Sequence, residues 1–193
     1  MRLAFVVFDQ MTALDFVGAY DPLTRLKSMN FRPDLAWDIC ARTREVADDR
    51  GLRFTPTKVD ESLAGYDLII VAGGYGTRAL VADDGFIAWL KTATRCPLKT
   101  SVCTGSLLLG AAGFLAGRRA TTHPGAYADL PQFGATVARE RIVDAGDIIT
   151  AGGVTAGIDL GLYLVERLAG AEVRARIARQ MDYPYDFTTD KQA

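Results

Sequence analysis

Short, uninterrupted apolar runs alternate along the chain with stretches of helical periodicity. The strongest run covers residues 68–72, a similar run covers residues 3–8, and a shorter strand signal covers residues 99–103. Strands that are apolar on both faces are typical of a parallel sheet buried between two layers of helices. The repeated alternation therefore predicts an α/β fold, with a mostly parallel sheet and helices on both faces.

The periodicity divides the chain into predicted elements. Helices are predicted over residues 15–27, 83–94, 104–115, 126–130, 155–168 and 172–181. Strands are predicted over residues 3–8, 37–42, 68–72, 99–103, 119–122, 134–138 and 142–150, and a hairpin or edge strand pair over residues 46–59. No linker or repeat interrupts this pattern, so we expect residues 1–193 to form a single domain whose tail frays from about residue 186.

Composition excludes several functional classes. Apolar residues make up 49% and charged residues 23% of the chain, as in ordinary globular proteins. The 22 lysines and arginines nearly cancel the 23 acidic residues, which gives no basic footprint for nucleic acid. No apolar segment approaches the ~18 residues of a membrane span, and the short apolar start does not form a signal peptide. We therefore expect a cytoplasmic protein with no membrane or nucleic-acid partner.

Cysteine and histidine usage argues against a metal site. The three cysteines, Cys40, Cys96 and Cys103, form no CxxC pair, and His123 is the single histidine. Cys40 lies in a predicted core strand, where cysteine usually serves as a small buried apolar residue. Cys96 precedes a proline in a turn that offers nothing to lower its pKa. We expect no metal and no cofactor.

Cys103 stands where a predicted strand turns directly into a predicted helix. A side chain at such a bend is held at the mouth of a parallel sheet, as in the nucleophile elbow of hydrolases. The positive end of a helix dipole beside it favours the thiolate, which is the nucleophilic form of cysteine. This position predicts an enzyme with a cysteine nucleophile and a low thiol pKa.

Two further signals follow strands of the same predicted sheet. Asp15 follows the first strand, and a glycine-rich turn that contains Gly74 and Tyr75 follows the central strand. Asp15 is either the N-cap of the first helix or a proton carrier, and the turn either connects two elements or presents backbone N–H groups to a developing charge. Ligands of parallel sheets bind at the carboxyl ends of the strands. Together these residues suggest a nucleophile, a proton shuttle and a charge stabiliser.

Three more residues have two interpretations each. His123 is either the base of a cysteine–histidine dyad or a local cap of the turn before Pro124. Thr155 is a predicted N-cap of the helix that follows Gly153, and the glycines there allow a helix to approach the cysteine closely. Asp15 competes with His123 for the role of base.

The strings that contain these residues resemble the ThiJ/PfpI superfamily, and within it the isocyanide hydratases. They are residues 14–15, 72–76, 101–106, 118–123 and 150–159. The resemblance implies a flavodoxin-like fold with a nucleophile elbow, a homodimer and a small-molecule substrate. It also implies that Cys103 attacks an isocyanide while a protonated Asp15 serves as general acid and then base. Site residues implied with them are Thr104, Gly74, Tyr75, Gly153 and Thr155.

The resemblance leaves alternatives open. A glyoxalase or amidase-like enzyme for small carbonyl compounds, a redox sensor that oxidises Cys103, and a binding domain without turnover share the same strings. Related transcription regulators carry an added helix–turn–helix domain, which we do not expect here. Pro124 follows His123 where tryptophan is usual, so the pocket is expected to differ in shape.

Overall fold

Eleven strands form one large sheet and two small ones in the computed structural model, which describes residues 1–184. The predicted fraying of the tail lies outside the described residues. In chain order the strands are β1 (Arg2–Val6), β2 (Ala36–Ala41), β3 (Val46–Ala47), β4 (Arg53–Phe54), β5 (Lys58–Val59), β6 (Leu68–Val71), β7 (Leu98–Val102), β8 (Arg119–Ala120), β9 (Thr136–Val137), β10 (Ile142–Asp144) and β11 (Ile148–Ala151).

The large sheet has the order β10-β11-β7-β6-β1-β2-β5. All of its neighbouring strands are parallel except β10 and β11, which are antiparallel. Its central strands β1 and β6 are almost entirely apolar and buried, which explains why these strands were predictable from uninterrupted apolar runs. The ends of β1, β6 and β7 meet at one edge of the sheet, where the candidate residues follow them.

Six helices complete the described fold. They are α1 (Ala13–Ser28), α2 (Thr77–Leu80), α3 (Asp84–Lys91), α4 (Gly105–Ala111), α5 (Ala156–Ala169) and α6 (Ala171–Gln180). Helices α1, α5 and α6 pack together, and α4 packs against α2 and α3. The predicted α/β fold with a mostly parallel sheet is confirmed. None of the helices within residues 1–184 is both long and apolar enough to cross a membrane.

Close packing of α1 on α5 depends on two glycines. A Cβ at Gly18 would lie 3.1 Å from the backbone nitrogen of Ile158, and one at Gly161 would lie 2.8 Å from Pro22 Cγ. The helices can therefore approach nearly backbone to backbone. This contact fixes the first turn of α1, which carries Asp15, against the first turn of α5.

Several predicted boundaries were wrong. The helix predicted over residues 104–115 ends at Ala111, because the chain turns at Gly113 with a φ of +85°. Residues 126–130 form no α-helix and connect two 3-10 turns, Pro124–Ala126 and Leu130–Phe133, each with a proline in its first two positions. The helix predicted over residues 83–94 ends at Lys91 and continues as a 3-10 turn. The hairpin predicted over residues 46–59 is present as β3 and β4, but it is separate from the large sheet, whose edge strand is β5.

Candidate active site

Cys103 occupies a strained elbow between β7 and α4. Its φ is +55°, a left-handed conformation that is uncommon for a residue with a side chain. The backbone N–H of Cys103 donates to the carbonyl oxygens of Ala151 and Gly152, at 3.0 and 2.8 Å. These two hydrogen bonds hold the elbow against the end of β11, and only 5% of the cysteine is exposed.

Asp15 lies inside the first turn of α1 and is completely buried. It is not the N-cap, which is Thr12, so the capping interpretation was wrong. Its Oδ2 accepts a hydrogen bond of 3.0 Å from the backbone N–H of Gly73. A second interaction, with the thiol of Cys103, brings together the two residues that the sequence proposed as nucleophile and proton carrier.

Gly73 is the point where the site residues converge. A Cβ at this position would lie 2.6 Å from the nitrogen of Thr104, 2.7 Å from Asp15 Oδ2 and 2.8 Å from the Cβ of Cys103. Real Cβ atoms do not tolerate such contacts, so only glycine lets the acid and the thiol meet here. Sequence reasoning noticed the glycine-rich turn but selected Gly74 and Tyr75 as its functional members.

Burial governs the ionisation of both groups. Burial raises the pKa of Asp15 from 3.8 to about 7, against hydrogen bonds from Gly73 and Cys103 that lower it. Burial, and then the charge of Asp15, raise the pKa of Cys103 from 9.0 to about 11. The expected low thiol pKa was therefore wrong, because desolvation and a neighbouring carboxylate outweigh the effect of the short helix α4.

Two backbone N–H groups face the sulfur and favour its charged form. They belong to Thr104 and Val154, and both lower the pKa of Cys103. Val154 has a φ of +23°, which is rare for a β-branched residue. Val154 lies in the string 150–159 but was not selected as a site residue, because its contribution comes from the backbone.

The Thr104 hydroxyl serves the loop after β6. It accepts from the N–H of Gly74 at 3.0 Å and lies 3.1 Å from the Gly74 carbonyl oxygen as a donor. The N–H of Gly74 is therefore bound by Thr104, and Gly74 takes part in the site as a lining residue of the pocket described below. The Thr104 hydroxyl is engaged away from the sulfur. Thr104 contributes to the thiol through its backbone.

A pocket of about 560 Å³ opens above the thiol. Its lining contains five of the residues proposed from sequence, namely Cys103, Thr104, Gly74, Tyr75 and His123. The aromatic Tyr75 is 74% exposed at the mouth, beside the apolar side chain of Leu14. Asp49, Arg50 and Arg78 supply the charged part of the lining.

His123 lies at the pocket but is held locally. Its Nδ1 accepts from the N–H of Gly125 at 3.1 Å, which is the local hydrogen bond that the sequence offered as one interpretation. A Cβ at Gly153 would lie 2.7 Å from the imidazole Cδ2, so Gly153 makes room for the ring. Neither Gly153 nor Thr155 is among the lining residues. Thr155 is the N-cap of α5, as predicted, but its hydroxyl accepts from Arg141 and makes no capping hydrogen bond.

Comparison with known proteins decides the family. The sequence profile of the DJ-1/PfpI family matches residues 1–167. The chain belongs to the DJ-1/PfpI family. It is 37% identical over 191 residues to an isonitrile hydratase of Pseudomonas putida, an alignment that covers 96% of this chain and 82% of the relative.

Another relative is a longer protein, and a solved structure shares the fold. The chain is 28% identical over 186 residues to the HTH-type transcriptional regulator GbdR of Pseudomonas aeruginosa, and it spans about half of that protein, 50% of its length. Among solved structures, a ThiJ/PfpI family protein from Pseudomonas syringae superposes with a TM-score of 0.89 at 31% identity, over 100% of this chain and 78% of the other. The family assignment thus holds for sequence and for fold.

Proposed function

We propose that this DJ-1/PfpI protein hydrates isocyanides to N-substituted formamides, with Cys103 as nucleophile and Asp15 as general base and acid. The observation that carries the proposal is a thiol that lines a pocket and interacts with a completely buried carboxyl group. The 37% identity to an isonitrile hydratase supports it, because isonitrile is another name for isocyanide. Neither group needs a metal or cofactor for this chemistry.

The proton shared by the pair sets the reacting state. With pKa values of about 7 for Asp15 and about 11 for Cys103, the pair carries one proton between these pH values, on the sulfur. The protonated resting Asp15 that the resemblance implied is therefore expected only below about pH 7. Transfer of that proton to the adjacent carboxylate produces a thiolate and a neutral acid without any exchange with solvent. The reactive form is therefore one internal proton transfer from the resting form.

The first chemical step forms a thioimidate. As the sulfur of Cys103 bonds to the isocyanide carbon, Asp15 takes the thiol proton and delivers it to the same carbon. The product is Cys103–S–CH=N–R, with all atoms of the thiol and the isocyanide retained. The N–H groups of Thr104 and Val154 stabilise the negative sulfur while the bond forms.

The second step consumes water. Asp15, now a carboxylate, removes a proton from a water molecule that attacks the thioimidate carbon, and delivers that proton to the nitrogen. Cleavage of the carbon–sulfur bond then releases R–NH–CHO and returns one proton to the pair. The sum is one isocyanide and one water converted to one formamide, and the same carboxyl group moves the proton in both halves.

The thiol environment favours this enzyme over a redox sensor. Sensor cysteines are accessible and have low pKa values, whereas Cys103 is 5% exposed and its pKa is raised. A small carbonyl substrate in the same pocket remains the second candidate, because the thiol–carboxyl pair can also add to a carbonyl carbon. We also propose a cytoplasmic homodimer, as family resemblance implies, and light scattering tests the oligomeric state.

Formamide production from an aryl isocyanide tests the proposal. Wild type should turn over, while Cys103→Ala and Asp15→Asn should lose about 10²-fold or more in kcat. Cys96→Ala is a matched control, because this thiol is buried at the end of a turn and contacts the carbonyl oxygen of Leu98. His123→Gln should retain most of kcat, since the proposed base is Asp15.

The possible outcomes distinguish between substrate classes, between covalent and non-covalent catalysis, and between the two candidate bases. An inactive wild type would remove the isocyanide assignment and leave a carbonyl substrate for testing with the same variants. Full activity of Cys103→Ala would exclude covalent catalysis by this residue. Loss of activity in His123→Gln equal to that in Asp15→Asn would move the role of base to the histidine.

A further inference from the structure

A buried carboxylate outside the pocket anchors the first turn of α5. Asp159 is 1% exposed and accepts hydrogen bonds from the guanidinium of Arg141 and from the hydroxyl of Tyr183. Arg141 comes from another part of the chain, immediately before β10. Burying a charge of this kind costs free energy unless the charge is paired. The ion pair therefore fixes the position of Arg141 relative to the first turn of α5.

Arg141 also contacts both ends of the segment that precedes α5, residues 152–155. Its Nη2 donates to the hydroxyl of Thr155 at 3.2 Å. Its carbonyl oxygen accepts from the N–H of Gly152 at 2.9 Å. A single residue thus brackets four consecutive residues from outside the segment.

The bracketed segment contacts the nucleophile along its length. The carbonyl oxygen of Gly152 accepts from the N–H of Cys103 at 2.8 Å, and the N–H of Val154 faces the sulfur. Between them, Gly153 packs against the ring of His123. The position of this segment therefore decides whether an N–H group reaches the sulfur.

We propose that Arg141 and Asp159 are a positioning pair that holds the N–H of Val154 against the sulfur of Cys103. A displacement of about 1 Å is enough to lose such an interaction, and Val154 adopts an unfavourable backbone conformation that needs support from its neighbours. The inference rests on the proposed function only for its turnover measurement. Its prediction for the thiol itself stands without any substrate.

Alkylation of Cys103 by iodoacetamide, followed by mass spectrometry as a function of pH, tests the pair. Arg141→Met should move the midpoint of alkylation to higher pH, because the thiolate loses a hydrogen bond, and should lower kcat for the isocyanide about 10-fold. Thr155→Val removes only the bond between its hydroxyl and Arg141 on the surface, and should shift both quantities in the same direction by less. Arg141→Lys should recover part of each effect.

The matched control is Arg119→Met, which breaks an exposed ion pair with Glu140 beside Arg141. The charged and titratable groups near the thiol are unchanged in every variant: Asp49, Arg50, Arg78 and His123 line the pocket, and Asp15 lies beside the sulfur. An alkylation midpoint in both Arg141→Met and Thr155→Val equal to that of wild type would overturn the proposal. Equal shifts in Arg119→Met would also overturn it, since they would show a general effect of lost charge. Because alkylation needs no isocyanide, failure of the proposed function is seen separately, as absent turnover in wild type.

Discussion

Asp15 and Cys103 act on each other's ionisation in opposite directions. The charge of Asp15 raises the pKa of the Cys103 thiol, whereas the hydrogen bond with Cys103 lowers the pKa of the Asp15 carboxyl. Both effects keep the proton on sulfur and the negative charge on carboxylate in the resting protein. The proton that catalysis must move is thus already placed between the two groups.

The pH dependence of kcat/KM should follow Asp15. Below its pKa of about 7 the pair carries a second proton, Asp15 can no longer accept the thiol proton, and the rate should fall about tenfold per pH unit. The charge of Asp49, at the pocket, raises the pKa of Asp15, so Asp49→Asn should move this limb to lower pH. Rate profiles between pH 5 and 9 check both statements.

The exposed Asp34→Asn is the control for these profiles, because its carboxylate pairs with Arg32 at the surface. If Asp49→Asn leaves the acidic limb of the kcat/KM profile in place, or moves it to higher pH, the assignment of that limb to Asp15 is contradicted.

Asp15→Asn should stabilise the fold at alkaline pH although it abolishes turnover. The unfolded chain loses this proton near pH 3.8, but the folded protein keeps it up to about 7. Stability of wild type should therefore fall as pH rises between these values, because the folded state binds the extra proton. Asparagine has no such titration. Between pH 4 and 8 the free energy of unfolding of the variant should therefore rise by on the order of 4 kcal/mol relative to that of wild type.

Urea unfolding of both proteins at pH 4.5 and pH 8 measures this difference. If the free energies of unfolding of variant and wild type differ by the same amount at both pH values, Asp15 titrates normally in the folded protein.

Gly73→Ala should separate folding from chemistry. The added methyl group would press against Thr104, Asp15 and Cys103 at 2.6 to 2.8 Å, and the acid and thiol would have to move apart. We expect kcat to fall about 10²-fold or more, with the far-ultraviolet circular dichroism unchanged. Gly85→Ala in α3 is the control, since its nearest contact would be a side-chain oxygen at 3.2 Å. A wild-type kcat in Gly73→Ala would show that Gly73 is not needed to bring Asp15 and Cys103 together.

Thr104 variants test the support of the loop after β6. Thr104→Val keeps the side-chain volume but leaves the N–H of Gly74 without its acceptor, so we expect kcat to fall about tenfold. Thr104→Ser retains the hydroxyl and should stay within about twofold of wild type. A steady-state comparison of the two suffices, and equal losses would mean that the methyl group, not the hydroxyl, matters.

Sequence alone predicted the fold and the members of the thiol–carboxyl pair, because strand ends and their residue types are local signals. Cys103 and Asp15 follow apolar runs that were easy to recognise. The ionisation of the pair was not predictable, since it depends on burial that only the packed protein creates. Val154 and Arg141 were missed for a related reason: one acts through its backbone, and the other acts across 18 residues of chain through Asp159.

The hairpin formed by β3 and β4 contributes Asp49 and Arg50 to the pocket without joining the large sheet. Its turn is held by Asp48, whose Oδ1 accepts from the N–H groups of Arg50 and Leu52 at 2.9 and 2.7 Å. The loop that helps to define the pocket therefore also carries a charge that raises the pKa of Asp15. Exchange of this one short hairpin would alter the fit of a substrate and the pH range of the reaction together.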